Sequence, residues 1–372
     1  MQILKKTLGK ALKKALLLSP EEVIKKVKSS GLTGRGGANF LTGNKWELTQ
    51  KEQGEKYLIC NADEGEIGTF KDKFILENNP EALIEGILIA AFAIGGKKAF
   101  IYLRKEYSYL KDSLKNTINT YLKDKDYPAK INIEIIVGAG AYICGEETTI
   151  MNSIEGKRAE PRHKPPYPSQ KGLFNKPSCI NNVETLTNVA QIFCNESWDK
   201  NLRLFSVSGD VEKPGVFEEK LGTPFKDLLN KAKIKEKVKA IFFGSSSGCV
   251  AYNDKDKLDY DEIISKGAFL GNGSIIVVGQ SRCIINVCRN IQQFFVHESC
   301  GKCLPCRDGN AQLLKILEKT EKKEVTEKDI ELMKELSEFI KENSFCGLGC
   351  YSTNHLITAL KTFKEDFNNK CK

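Results

Sequence analysis

Lys56–Phe70 reads KYLICNADEGEIGTF, and this stretch decides the fold. Lys56–Ala62 is an apolar run with strand composition. Asn61, Asp63, Glu64 and Glu66 then crowd four polar groups directly behind it. Ligands of α/β sheets bind outside the carboxyl ends of the strands, so the segment predicts a strand that delivers a binding loop. A structural turn needs Asn and Asp, but not this many acids. These side chains suit hydrogen bonds to a flavin ring or to ribose hydroxyls.

Outward from that strand, Pro80–Ile94 is rich in Ile, Leu and Ala and reads as a buried helix. KAFIYL, Lys98–Leu103, reads as a strand, Tyr107–Lys123 as a helix and Ile131–Val137 as a strand. Strands alternating with helices predict an α/β layer with a parallel sheet. Upstream, Ser19-Pro20-Glu21-Glu22 carries a capping box and starts a helix. The basic, amphipathic start, residues 1–18, reads as a surface helix. Glu160–Pro177 is rich in Pro and basic residues and reads as irregular, and a helix over Val183–Phe193 closes the first unit. From Arg203 to Val278 short strands surround one helix, a small α+β pattern. From Arg282 four helices with short loops predict a bundle. The expected domains are residues 1–200, 201–281 and 282–372.

Three further segments carry chemistry. In GLTGRGGANFLTGNKW, Gly34, Gly36 and Gly37 let backbone approach a ligand, while Arg35 and Lys45 add positive charge. The combination predicts an anion-binding loop for a phosphate or diphosphate. In GAGAYICGEE, Gly138 and Gly140 begin like a dinucleotide fingerprint, but Ile143 holds the third glycine position, so the usual Rossmann motif is not met. Glu146 and Glu147 follow at a helix N-terminus, where carboxylates are favoured. Finally, Cys300, Cys303 and Cys306 form a C-x-x-C-x-x-C run, with Cys346 beyond an intervening helical stretch. Iron–sulfur clusters use this spacing. A four-cysteine zinc site is the rival and more often uses two separated C-x-x-C pairs. Cys350 is an alternative fourth ligand.

Composition sets the bounds. The chain has 372 residues, 41% hydrophobic and 28% charged, as expected of a globular protein with a core. Thirteen cysteines fit a reducing compartment, in which thiols bind metal or pack. The net charge of +9 comes from 57 basic and 48 acidic residues, but only eight are Arg and the lysines are scattered, which argues against nucleic-acid binding. No apolar run reaches membrane-span length. No Ser/His/Asp set suggests a hydrolase.

GRGGANF, CNADEGEIGTFKD, GAGAYICGEET, NNVETLTN and ESCGKCLPC appear in one order along nearly the whole chain. Together they resemble the flavin- and NADH-binding subunit of respiratory complex I, with relatives in NAD-linked hydrogenases and formate dehydrogenases. The resemblance implies a Rossmann-like FMN and NADH domain, a ubiquitin-like α+β domain and a four-helix bundle holding a [4Fe–4S] cluster. It implies FMN held by Gly34, Arg35, Gly36 and Lys45. Asn61, Asp63, Glu64 and Gly65 would line the flavin, and Gly145, Glu146 and Glu147 would approach it. Asn181, Asn182 and Thr185 would reach the ribityl phosphate. NADH would stack near Phe40 and Tyr167, with Glu66 and Lys164 on its ribose or phosphates and Glu147 near the nicotinamide as the catalytic residue. Cys300, Cys303, Cys306 and Cys346 would bind the cluster. Hydride would pass from nicotinamide C4 to flavin N5, and single electrons from the flavin to the cluster.

Departures qualify the resemblance. Asn39 stands where the family has Gly, Ile67 where it often has Pro, and Gly65 where complex I members often carry Ser. No thioredoxin-like [2Fe–2S] domain precedes the glycine loop, so the implied partners are a [2Fe–2S] thioredoxin-like subunit and a larger iron–sulfur subunit. The expected location is cytoplasmic, or on the cytoplasmic face of the membrane as part of a complex. Two alternatives stay open: a diaphorase subunit of a soluble or electron-bifurcating hydrogenase or formate dehydrogenase, and a zinc-binding interaction module.

Overall fold

The computed structural model describes residues 1–123, 131–322 and 324–368. Two compact units emerge: residues 1–65 with 70–202, and residues 66–69 with 203–372. Cys371 lies outside the described residues.

In the first unit, β1 (Tyr57–Ala62), β2 (Lys98–Leu103), β3 (Asn132–Val137) and β4 (Ser178–Asn182) form a sheet in the order β3-β2-β1-β4. Each neighbouring pair is parallel, and Asn61 faces Asn182 in register. All four strands therefore end on the same edge. One sheet face packs Tyr57, Ile59, Phe100 and Tyr102 against Ile150, Met151 and Leu173. Helices α1 (Lys10–Leu16), α2 (Pro20–Ser29), α3 (Thr42–Lys51), α4 (Lys71–Asn78), α5 (Pro80–Ile94), α6 (Lys111–Leu122), α7 (Glu147–Ile154), α8 (Pro168–Lys171) and α9 (Val183–Cys194) complete this unit. α5 is buried on nearly every side, which accounts for its almost unbroken apolar sequence. It crosses α9 closely at Gly86, where a Cβ would stand 1.9 Å from the Leu186 carbonyl oxygen.

The sequence expectation differs from this unit in three places. The amphipathic start is not one helix: Leu8 and Gly9 take left-handed backbone and break a 3₁₀ turn from α1. Glu160–Pro177 contains the short α8. α3, α4 and β4 are additional elements, β4 escaping the pattern because its sequence SCINN is half polar.

In the second unit, β5 (Leu202–Gly209), β6 (Gly215–Lys220), β7 (Val238–Phe242), β8 (Cys249–Ala251) and β9 (Ser274–Gly279) form a mixed sheet in the order β6-β5-β9-β7-β8. β5 runs parallel to β9, and β7 runs antiparallel to both β8 and β9. The strongly amphipathic α10 (Phe225–Ala232) buries Phe225, Leu228 and Leu229 against Phe205, Ile241 and Val277. α11 (Tyr260–Ser265) precedes β9. Beyond it come α12 (Ile284–Glu298), α13 (Asn310–Glu321), α14 (Glu327–Asn343), α15 (Gly347–Tyr351), α16 (Asn354–Thr362) and α17 (Lys364–Asn368). α12 packs on α13 and α16, and α14 packs on the same two. The last predicted helix is thus broken at Phe363, and α15 is an extra turn beside the cysteines. Cys60, Cys144, Cys179, Cys249 and Cys288 are buried, as packing residues should be. Among the described residues, no helix is long and apolar enough to cross a membrane.

Candidate flavin and iron–sulfur sites

The strand ends of the first unit carry its polar residues. Asn61, next to last in β1, donates through Nδ2 to the Gly145 carbonyl at 2.8 Å, and its Oδ1 accepts from the Asp63 amide at 3.1 Å. The loop after β1 and the loop after β3 are thereby tied together. Gly65 and Gly145 permit this closeness, since a Cβ on either would come within 3.1 Å of Tyr142 or of the Asp63 carbonyl. Asp63 and Glu64 are buried. Glu64 accepts from the Asp72 and Lys73 amides at 2.9 and 3.0 Å and from the Tyr107 hydroxyl at 3.3 Å.

At the end of β4, Asn181 accepts from the buried Trp46 indole at 2.9 Å. Asn182 caps α9 by accepting from the Glu184 amide, and it donates to Asp72 Oδ2 at 2.5 Å. The Thr185 hydroxyl accepts from the Arg35 amide at 2.9 Å, which pins the glycine loop to α9. A Cβ on Gly36 would touch Asn182, whereas one on Gly37 would meet open space. Arg35 departs from expectation. Its guanidinium is buried and donates to the Lys200 carbonyl, so it anchors the loop.

Lys45, Glu147 and Lys164 form the charged group. Glu146 caps α7, accepting from the Thr148 and Thr149 amides. Glu147 pairs with Lys45 at 3.2 Å and with Lys164 at 2.5 Å. Burial alone would raise the Glu147 pKa, but the two ammonium groups outweigh it and hold it at about 2. Phe40 and Tyr167 are both more than half exposed. Glu66 is not part of this unit. Its carboxylate accepts from the Ser245 and Ser246 amides and hydroxyls and from Asn272 Nδ2 at 2.7 Å, all within the second unit. Ser245, Ser246 and Asn272 carry no signal in the sequence, since only the fold brings residues some 180–206 positions away to Glu66.

The cysteine segment follows α12. Cys306 is buried in a wide π-type turn, Pro305–Gly309, leading into α13. Its sulfur lies 3.3 Å from the Ser299 hydroxyl and 3.5 Å from Asn310 Nδ2. Asn310 is held in turn by Gln292 and Ser352. Cys346 precedes α15, whose Gly349 packs so tightly on Cys306 that a Cβ would stand 3.2 Å from the cysteine Cβ. Lys302 lies 4.8 Å over the Phe345 ring, linking the triple-cysteine loop to the Cys346 segment. Among the described residues, no three Cys, His, Asp or Glu side chains already stand at metal-ligand spacing. These contacts bring the triple-cysteine loop and the Cys346 segment together, and an all-thiol donor set with a hydrogen-bonded Cys306 sulfur fits an iron–sulfur cluster. A glycine-rich loop tied to Thr185 and close to Asn182, with Asn, Asp and Glu at the neighbouring strand ends, likewise fits FMN.

An α/β unit with this polar strand edge and a helical segment with these thiols define a flavin- and iron–sulfur-dependent oxidoreductase subunit. Residues 27–191 match the family described as Nuo51 FMN-binding domain, and residues 286–370 match the NADH-ubiquinone oxidoreductase-F iron-sulfur binding region. The F subunit of NADH-quinone oxidoreductase from Aquifex aeolicus is 42% identical over 96% of this chain and 88% of its own length. The alpha subunit of the NAD-reducing hydrogenase HoxS of Cupriavidus necator is 39% identical over 96% of this chain, which spans 62% of that protein. The crystal structure of an NAD⁺-reducing [NiFe]-hydrogenase in the H₂-reduced state superposes with a TM-score of 0.90 at 34% identity, over 97% of this chain and 64% of that one. This chain belongs to the family of NADH-quinone oxidoreductase F subunits, and it transfers electrons between NADH, FMN and an iron–sulfur cluster.

Proposed function

We propose that the polar strand edge of the first unit is the flavin and NADH site. The convergence of Asn61, Asp63, Glu64, Gly145, Asn181 and Asn182 carries this reading, because three separate strand-end loops contribute. Gly34, Gly36 and Lys45 hold the phosphate end with Asn181, Asn182 and Thr185, and Arg35 supports the loop from behind. Asp63, Glu64, Gly65 and Glu146 line the ring. Phe40 and Tyr167 stack the NADH adenine, while Lys164 and Glu66 meet its phosphates or ribose. Glu147, ionised between Lys45 and Lys164, cannot donate a proton near neutral pH. Its charge stabilises the cationic nicotinamide left after hydride departure. Bound FMN supplies the exchange between a two-electron hydride and single electrons. Cys300, Cys303, Cys306 and Cys346 hold the [4Fe–4S] cluster that takes those electrons.

The second unit contains, in this reading, a ubiquitin-like domain to about residue 281 and a four-helix bundle from 282, with the first domain ending near residue 200. The partners are a thioredoxin-like [2Fe–2S] subunit and a larger iron–sulfur subunit, in the cytoplasm or at the cytoplasmic face of the membrane. A diaphorase role in a hydrogenase is the second reading. It is favoured by the likeness to the NAD⁺-reducing [NiFe]-hydrogenase and by Gly65. The anaerobic absorption spectrum of the purified protein, with and without NADH, tests both cofactor assignments. A flavin band and a broad iron–sulfur shoulder that both bleach with NADH are expected. A colourless, zinc-containing protein that takes up neither FMN nor reconstituted iron–sulfur would overturn the reading.

A further inference from the structure

Behind the proposed flavin residues lies a buried charge cluster that neither the glycine loop nor the NADH residues account for. Lys71 and Asp72, the first two residues of α4, are 1% and 3% exposed. The Lys71 ammonium stands 2.7 Å from Asp72 and 3.1 Å from the equally buried Glu184. It also reaches the Asn182 side-chain oxygen at 3.5 Å. Asp72 accepts from Asn182 Nδ2 at 2.5 Å. The backbone amides of Asp72 and Lys73 both donate to Glu64. One cation thus serves three carboxylates, Glu64, Asp72 and Glu184, away from water.

A bland account would make this a structural staple between α4 and α9. Two features argue for more. A buried pair of this kind returns little net stability, because desolvation cancels most of the attraction. Its contacts also end on two of the proposed flavin residues. Asn182 has both its amide nitrogen and its oxygen engaged by the cluster, which fixes its orientation as a partner for a phosphate or ring. Glu64 has both carboxylate oxygens fixed by the first turn of α4.

We propose that Lys71 and Asp72 are positioning residues of the flavin site, orienting Asn182 and Glu64 and setting the buried negative charge beside the flavin. The proposal rests on the flavin-site reading above. Its consequence is electrostatic as well as geometric. Flavin reduction adds electrons, so removing a nearby buried carboxylate makes reduction easier and raises the flavin midpoint potential.

The test uses the FMN- and cluster-loaded protein and the isosteric variant Asp72→Asn. FMN affinity, read by flavin fluorescence on re-binding, should fall roughly ten- to a hundred-fold. The flavin midpoint potential should rise, and the cluster spectrum should stay unchanged. FMN affinity and potential both at the parent values would overturn the proposal. Glu184→Gln lowers the same buried charge while leaving the Asp72–Asn182 bond intact. Should Asp72→Asn not fold, an upward potential shift in Glu184→Gln supports the proposal, and an unshifted potential refutes it. Asn182→Ala separates the two levels of argument. If it binds FMN as the parent does, the site reading itself fails; if it loses FMN while Asp72→Asn does not, only the positioning role fails.

Discussion

Glu147 and Asp72 are carboxylates of the same unit that their surroundings drive in opposite directions. For Glu147, burial is outweighed by Lys45 and Lys164, and its pKa falls from an ordinary 4.5 to about 2. A depressed folded pKa gives stability that is present above about 4.5 and lost as pH falls towards 2. The side chain is nearly a third exposed, so solvent screening leaves this contribution at about 1–2 kcal/mol. Glu147→Gln should therefore remove part of the acid unfolding between pH 4.5 and 2, read by circular dichroism. An unchanged acid transition would show that the two lysines do not engage it in solution. For Asp72, burial leads, Lys71 opposes it, and Glu64 and Glu184 add to it, carrying the pKa from 3.8 to about 7. A raised carboxylate pKa has the reverse sign: the folded state binds the extra proton, and stability declines as pH rises from about 4 to 7. Asp72→Asn should flatten that slope in urea unfolding. Persistence of the full slope in the variant would assign it elsewhere. A carboxylate that costs stability at neutral pH is what a functional position would retain.

At the scale of elements, Glu85 shows what periodicity cannot reveal. It interrupts the apolar run of α5, and periodicity assigns it no partner. In the fold it is fully buried and accepts from the Gly9 amide at 2.8 Å, the Leu12 amide at 3.0 Å, the Tyr121 hydroxyl at 2.9 Å and the Thr7 hydroxyl. α1 has no side-chain cap of its own, so the carboxylate of another helix caps it. Glu85→Ala should destabilise the first unit by about 3 kcal/mol. Hydrogen exchange at the Gly9–Leu12 amides should quicken, and unchanged protection there would refute the capping role. The pattern of legibility follows from range. α2 with its capping box, α5 and β1 to β3 are specified by local signals and are legible to within a residue or two. β4 is half polar because its end residues Asn181 and Asn182 bond to Trp46 and Asp72, which erases its apolar periodicity. The motif residues of the site are legible as motifs. Trp46, Lys71, Asp72 and Glu184 lie inside the same motifs, but which residues they pair with is not legible, since a buried charge reads in sequence like any exposed one.

For the whole molecule, the proposed cofactor residues divide between the two units: those for FMN lie in residues 1–65 and 70–202, the cysteines in the other. Losses should therefore separate. Cys303→Ala should abolish the cluster's paramagnetic signal while NADH still bleaches the flavin, and a retained full cluster signal would refute the ligand assignment. Glu66 crosses that division, as a residue from the flavin motif that belongs to the second unit. Four donors from Ser245 and Ser246 converge on its Oε1, and Oε2 accepts from Asn272. That many donors fix the carboxylate in place, and in the proposed role its negative charge repels a 2′-phosphate on the ribose. Glu66→Gln should raise the NADPH-to-NADH ratio of kcat/KM by roughly tenfold, equivalent to about 1.4 kcal/mol. Asn272→Ala keeps the charge but frees one oxygen, so it should raise the KM for NADH with little change in that ratio. An unchanged ratio in Glu66→Gln, together with loosened protection of residues 66–69 in hydrogen exchange, would reduce Glu66 to an anchor of that segment. A shift of selectivity in Glu66→Gln but not in Asn272→Ala is the result that charge, rather than geometry, demands.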